Sequence, residues 1–404
     1  MISLDVRTRT DDDVRDVDTV DFFTRELPDL IASRGELAAP GAAELGCAPF
    51  AFSTPRGAWT LSLQEGSLRI EAGQQRATAV VALRDEELAD IVNDLATPMT
   101  HVTGGTLRME RGQLGAFLDW WVVLRALVDG RPAYTSGTVT FRDRKGAPLD
   151  LRRTFTLDDD PAELAHFLAQ AGFLHVTGVF TPEEMASVDA DMTAAGPTYA
   201  RDDGRSWWAR TADGKEMAVR LQRFEQHSPT AAELLTDERF LAIGGLTDDE
   251  YVASTTVEAL EKPLGVVEGI SDVPWHKDCS LGRHAYRCSS LTVGISVTGA
   301  DDVSGQLRVV AGSHRALVQP AFVRPEWGLP VVDLPTTTGD VTVHCSCTLH
   351  MAQPPVERPR RVMYTGFSLA DPDNRARAGE AAIRRVRESS YKNVSQKPGH
   401  IAGT

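Results

Sequence analysis

The chain of 404 residues is 42% hydrophobic and 25% charged, a composition that suits soluble globular domains and leaves room for two or three of them. Its 57 acidic side chains outnumber 42 basic ones, and the formal charge of −15 argues against a nucleic-acid partner, which demands a basic face. No apolar run approaches the roughly 18 residues of a bilayer span, and the Asp-rich stretch from Met1 to Asp18 lacks the apolar core of an export signal. Cys47, Cys279, Cys288, Cys345 and Cys347 make an odd count that favours reduced thiols and a cytoplasmic setting.

In chain order, Phe22 to Ile31 reads as a short helix, followed by a loop rich in Ala, Gly and Pro. Trp59, Leu61 and Leu63 alternate with polar neighbours, Leu68 and Ile70 do so after Glu65-Gly66, and Ala77 to Leu83 is a continuous apolar run. Together these predict a hairpin-rich antiparallel sheet. From Arg84 to Thr97 the period changes: Leu88, Ile91, Val92 and Leu95 fall on one face of a helix. A second helix over Arg111 to Asp129 carries Leu114, Phe117, Leu118, Trp121 and Leu124 on one side and ends at Gly130 and Pro132. Strands followed by apolar-faced helices suit an α+β layer fold. Over Leu83 to Val92, Gly105 to Gly112 and Trp121 to Tyr134, this first unit (residues 1–145) resembles the sterol-carrier-like domain. The resemblance implies a hydrophobic-ligand site. Alternatively, Trp120, Trp121 and Phe117 fill an ordinary core and the unit serves as a structural or homodimer-forming module.

Beyond the charge-rich stretch from Thr138 to Asp160, Asp160-Pro161 opens a helix through Gln170, and Phe173 to Thr177 reads as a strand. Thr181-Pro-Glu-Glu184 is a capping box opening a helix to about Ala194. Trp207 and Trp208 either pack or line a cleft, and Leu234 to Gly245 reads as another helix. Short strands then follow at Thr255 to Leu260, Ser290 to Thr298, Gly305 to Val310, Val331 to Leu334, Asp340 to Cys345 and Arg361 to Ser368. They predict a double-stranded β-helix, or jelly roll, with flanking helices over residues 146–404. A last helix, Ala381 to Tyr391, presents Arg384, Arg385 and Arg387 and either folds over the barrel mouth or stands in solvent.

Two stretches carry the chemistry: Pro274-Trp-His-Lys-Asp-Cys279 and Thr348-Leu-His350. On a rigid strand His276 and Asp278 project from the same face, and His350 is expected from a facing strand. Two imidazoles and one carboxylate on one side of a metal leave the other side open, the ligand set of a non-haem Fe(II) oxygenase. By the same alternation Lys277 points away from the metal. Cys345 and Cys347 suit structural or lining roles, and His284, His314 and His344 suit structural or outer positions rather than ligation.

Four motifs in order resemble the phytanoyl-CoA dioxygenase family of Fe(II)/2-oxoglutarate oxygenases. They are Trp275-His276-Lys277-Asp278, the run Gly305 to His314, Gly339-Asp340 with His350 eleven residues after the glycine, and Pro359-Arg360-Arg361. The resemblance implies a cupin-like jelly roll with Fe(II) on His276, Asp278 and His350. It implies 2-oxoglutarate as cosubstrate, bound through its keto and C1 carboxylate oxygens, with its far carboxylate on an arginine. Spacing leaves Arg360 and Arg361 both open, with a lean to Arg360; adjacent strand residues point oppositely, so only one faces the metal. Ala352 stands where the family often has a serine, which implies another donor there. The implied reaction consumes O2, converts 2-oxoglutarate to succinate and CO2, and hydroxylates a small hydrophobic lipid or natural product. Desaturation, epoxidation and cyclisation use the same site, whereas the carboxylate of Asp278 speaks against halogenation. The competing classes are an inactive lipid-binding carrier and a cupin-like metal protein that does without 2-oxoglutarate.

Overall fold

The structure is a computed structural model and describes residues 7–201, 203–269, 273–282, 286–370 and 377–394, which leaves His284 and both chain ends outside. The first unit is built on a five-stranded sheet, in spatial order Ser67–Ala72, Gly57–Gln64, Phe50–Thr54, Ala79–Ala82 and Arg108–Arg111. The expected hairpin is present, with Trp59 opposite Ala72 and Leu63 opposite Leu68. The sheet is not wholly antiparallel, however: Phe50–Thr54 runs parallel to Ala79–Ala82. Such a pair closes over a long segment and leaves no turn signature.

The Ala/Gly/Pro-rich loop expected after residue 31 is helix, Leu27–Glu44, with Pro40 inside it. Its small residues pack rather than bend: Ala38, Ala39, Gly41 and Ala42 are buried, and a Cβ at Gly41 would come within 2.6 Å of Ala133. The helix expected over Arg84 to Thr97 ends early, as Asp85–Val92, leaving Leu95 outside it, and a separate helix, Pro98–Gly104, begins after Thr97 as cap. Leu114–Asp129 ends as expected at left-handed Gly130. Inside, Phe23 stacks on Trp59 at 4.6 Å, Phe50 stacks on Phe117 at 5.5 Å, and the Trp120 indole donates to the Ala48 carbonyl at 2.8 Å. These rings, with Trp121, are fully buried core.

The second unit pairs a nine-stranded sheet with a four-stranded one. The large sheet runs Val266–Gly269, Ser206–Thr211, Glu216–Leu221, Glu258–Lys262, Arg360–Leu369, Ser290–Ser296, Val341–Cys345 and Phe173–Val176, with Tyr251–Ala253 on the far end of Arg360–Leu369. The small sheet runs Val273–His276, His350–Ala352, Leu307–Val310 and Val331–Leu334. Every pairing in both is antiparallel, as a jelly roll requires. One face of the large sheet (Ala259, Val293, Ile295, Val341, Val343, Met363) packs in a common core with Leu164, Phe167, Met185 and Val188 of the helices Pro161–Ala171 and Pro182–Ala195. Asp160 and Thr181 cap those helices as the sequence predicts. The single helix expected over residues 234–245 is two, Pro229–Leu234 and Glu238–Gly244, because Asp237 caps the second. Trp208 packs beside this core and Trp207 lies under the Arg220 guanidinium at 4.4 Å. The last helix, Glu380–Val394, packs on Pro98–Gly104 of the first unit and also meets Ser206–Thr211 of the large sheet. Among the described residues no helix is long and apolar enough to cross a membrane.

Gly339 turns the chain into the strand that leads to His350, at φ +84°, where an added Cβ would fall on the Phe180 carbonyl oxygen. A left-handed backbone and a backbone collision together make alanine untenable there. Gly339→Ala is expected to cost about 3 kcal/mol or more, read as a drop in denaturant midpoint at constant slope. An unchanged midpoint would contradict this packing.

Candidate metal centre

His276 closes the strand Val273–His276 and lies directly opposite His350, the first residue of His350–Ala352. The second imidazole therefore comes from the hydrogen-bonded neighbour in the same small sheet, not from a facing strand. Nor does Asp278 share a strand with His276. After an extended Lys277 the chain enters a tight 3-10 turn, Asp278–Leu281, and that turn aims the carboxylate back at the histidines. Lys277 points away as expected, buried, with its Nζ donating to the Ser313 carbonyl at 3.2 Å.

The result is compact. Asp278 Oδ1 lies 3.4 Å from His276 Nε2 and 3.6 Å from His350 Nε2, and one ligand atom of each residue falls within 4.8 Å of the others. Both rings are set by the same device. His276 Nδ1 contacts the Pro274 carbonyl at 2.8 Å, and His350 Nδ1 contacts the Thr348 carbonyl at 2.9 Å. A carbonyl only accepts, so Nδ1 carries the proton and the Nε2 lone pair faces the centre. Burial above all, then His344 and His276, pushes the His350 imidazole well below its ordinary pKa, which keeps it neutral and able to ligate. Burial alone would raise the Asp278 carboxyl, but His350, His276 and His344 outweigh it and hold the group well below the usual carboxylate range.

The other carboxylate oxygen, Oδ2, accepts from Thr292 Oγ1 at 2.5 Å and contacts His344 Nε2 at 3.2 Å. With Oδ2 so engaged, Oδ1 is left as the ligating atom. His344 is thus buried beside the centre, orienting Asp278 rather than joining the ligands. His314 is placed elsewhere, its Nε2 on the Ala169 carbonyl at 3.0 Å. No disulfide joins any two of the five cysteines, and neither Cys345 nor Cys347 joins a metal-binding group among the described residues. Two imidazoles and a carboxylate grouped in this way fit a divalent iron ion, with the cavity side left for other ligands.

The sequence matches the family Phytanoyl-CoA dioxygenase (PhyH) over residues 168–362, a range that holds all three ligands. No curated protein matches the chain. Among solved structures it is similar to SnoN, described as a non-heme alpha-ketoglutarate-dependent epimerase from nogalamycin biosynthesis (23% identity, TM-score 0.42, covering 52% of this chain and 82% of that one). It is also similar to SnoK, described as a carbocyclase from the same biosynthesis (22%, TM-score 0.41, covering 54% and 88%), and to EctD from S. alaskensis (17%, TM-score 0.43, covering 61% and 91%).

The triad opens on a cavity of about 330 Å³ between the two sheets. The cavity is lined by Glu258, Leu260 and Lys262 of one strand, by Thr292, His344 and Tyr364, and by Leu307 and Ala352 of the small sheet. The two arginines part company at this point. Arg361 sits on the outer face, bound to Glu261 at 2.8 Å and Asp189 at 3.0 Å, and so is removed from the candidate cosubstrate residues. Arg360 faces inward and is 3% exposed; its Nη1 donates to the Gly305 carbonyl at 2.7 Å, and its Nε has no hydrogen-bond partner among the described residues. Directly opposite Arg360 in the register is Lys262, 1% exposed, its Nζ 3.2 Å from the carbonyls of Ala352 and Gln353. Sequence reasoning missed Lys262. The available signal was its parity with Leu260 and Glu258, two and four residues back on one strand face.

Proposed function

We propose that the protein is an Fe(II)- and 2-oxoglutarate-dependent oxygenase that hydroxylates a C–H bond of a small molecule. The observation that carries this reading is the convergence of His276 Nε2, His350 Nε2 and Asp278 Oδ1 at the wall of a cavity between the two sheets. Iron with 2-oxoglutarate bound supplies the activation of O2, coupled to conversion of the cosubstrate to succinate and CO2. The chain's own residues hold and orient. Thr292 and His344 fix the Asp278 carboxylate, and the two backbone carbonyls fix the imidazoles. Arg360 and Lys262 would take the far carboxylate of 2-oxoglutarate through charge-assisted hydrogen bonds. Lys262 also answers for Ala352, since its Nζ lies against the very backbone where a serine hydroxyl is missing.

The remaining wall bears on the substrate class. Ser254 Oγ and Thr365 Oγ1 both donate to the Thr256 carbonyl, at 3.0 and 2.9 Å, and Arg220 is ion-paired to Glu258 beside them. With these polar groups satisfied within the wall, and Leu260, Val273 and Leu307 next to them, the lining accepts the small hydrophobic molecule that the sequence suggests.

The test is to add Fe(II) and 2-oxoglutarate anaerobically to the metal-free protein and record the visible spectrum, with His276→Ala as control. A weak charge-transfer band present in the wild type and absent from the variant is expected. A substrate screen with succinate readout would follow, in which a product gaining one oxygen marks hydroxylation and one losing two hydrogens marks desaturation or ring closure. No band from a folded wild-type protein would overturn the assignment and return the carrier reading.

A further inference from the structure

The turn that carries Asp278 is held on one side by the barrel, where Cys279 N–H donates to the Ser346 carbonyl at 3.2 Å and Thr292 and His344 hold the carboxylate. Its other side faces the first domain. The Ser280 and Leu281 carbonyls point out of the turn and accept hydrogen bonds from two threonines of that domain: Thr97 Oγ1 donates to Ser280, and Thr100 Oγ1 donates to Leu281 at 2.7 Å. Both threonines are buried, at 2% and 5% exposure. Thr97 is doubly engaged, because its Oγ1 also accepts from Met99 N–H at 3.2 Å and so caps the helix Pro98–Gly104. That helix is in turn backed by the last helix of the chain, Glu380–Val394, through Val386 against Gly104.

A second clamp lies a few residues downstream. Tyr286 Oη donates to Asp129 Oδ2 at 2.8 Å, the Arg131 guanidinium lies 4.2 Å over the Tyr286 ring, and buried Arg125 fixes Asp129 at 2.6 Å. Barrel and first domain therefore grip the ligand-bearing segment from opposite sides. The imidazoles need no such help, since both sit on paired strands. Asp278 alone is mounted on a turn, and turns are the mobile parts of a scaffold unless their backbone groups are tied down.

We infer that the first domain is a positioning element of the metal centre, with Thr97 and Thr100 fixing the turn that presents Asp278. This rests on the metal-centre reading above and gives the domain a role that requires no ligand of its own. Partners lying one bond behind a metal ligand change metal affinity by about 10- to 100-fold when removed, and two neutral hydrogen bonds acting through backbone belong at the lower end.

The test is an anaerobic titration of the full chain with Fe(II) alone, read as the dissociation constant, with metal-free thermal unfolding to confirm that each variant is folded. Thr97→Val with Thr100→Val should weaken Fe(II) binding about tenfold, and Thr97→Ser with Thr100→Ser, which keeps both hydroxyls, should restore it. The control is Tyr134→Phe, which removes another buried bond between the domains (Tyr134 Oη to the Trp327 carbonyl, 2.9 Å) without touching the turn, and should bind Fe(II) as the wild type does. If the double valine variant does not fold, Thr100→Val alone leaves the Thr97 cap in place and should still weaken binding several-fold. Wild-type affinity in the valine variants, or equal weakening in Tyr134→Phe, would overturn the inference. Failure of the wild type itself to bind Fe(II) would instead remove the metal centre, and this proposal with it.

Discussion

His350→Ala is expected to yield a folded protein that gains no stability from Fe(II) and retains less than about one-thousandth of the wild-type turnover. His350 is buried beneath the centre and supplies one of three ligand atoms, and its neighbours cannot replace it. His344 is committed to Asp278 Oδ2, and the Lys277 side chain is directed to Ser313. Since removal of an outer partner of a metal ligand already costs about 10- to 100-fold, removal of a ligand itself should cost on the order of 10³-fold. The stability readout is independent of turnover. A metal that binds only the folded state adds about 2.7 kcal/mol at one hundred times its dissociation constant. Anaerobic denaturant unfolding with and without Fe(II) should show that gain in the wild type and none in the variant. An equal gain in both would mean that the metal sits elsewhere.

The sequence was most legible where local chemistry decides. Val331–Leu334 was placed to the residue, and the caps at Asp160 and Thr181 and the Gly130 stop lie where side-chain type requires them. It was least legible where distant packing decides. Ala38 to Ala42 looks like a loop until Ala133 is seen against Gly41, and the parallel pairing of Phe50–Thr54 with Ala79–Ala82 has no local sign. The site divides in the same way. His276, Asp278 and His350 are readable as a ligand set by residue type, but the turn under Asp278 depends on Thr292, His344, Thr97 and Thr100, which come from both domains. Lys262 was passed over because a lysine on a short strand reads as surface; the small sheet laid over it makes it interior.

That burial sets up the second large effect, a crossed pattern among three basic residues. Arg360 is always a cation and makes no ion pair among the described residues, yet it is interior and directly opposite buried Lys262. Holding such a charge out of water is costly unless an anion offsets it, and the far carboxylate of 2-oxoglutarate would do so. Arg360→Met should therefore weaken 2-oxoglutarate binding by about 100-fold or more, within the 2–5 kcal/mol typical of truncating a buried charged contact. The same substitution should leave the ligand-free protein at least as stable as the wild type, and more stable by about 1 kcal/mol if methionine fills the space well. Lys262→Met should shift 2-oxoglutarate binding in the same direction, since its Nζ is anchored only 3.2 Å from the Ala352 carbonyl at the cavity wall. Arg361→Met should do the reverse: it breaks the outer pairs with Glu261 and Asp189, costs about 1 kcal/mol or less of stability, and leaves 2-oxoglutarate binding unchanged. The measurement is calorimetric titration of 2-oxoglutarate into each metal-loaded, oxygen-free variant, beside denaturant unfolding of the ligand-free proteins. If Arg361→Met lost the cosubstrate while Arg360→Met and Lys262→Met kept it, the strand would have to be turned over, and the interior placement of Arg360 would be wrong.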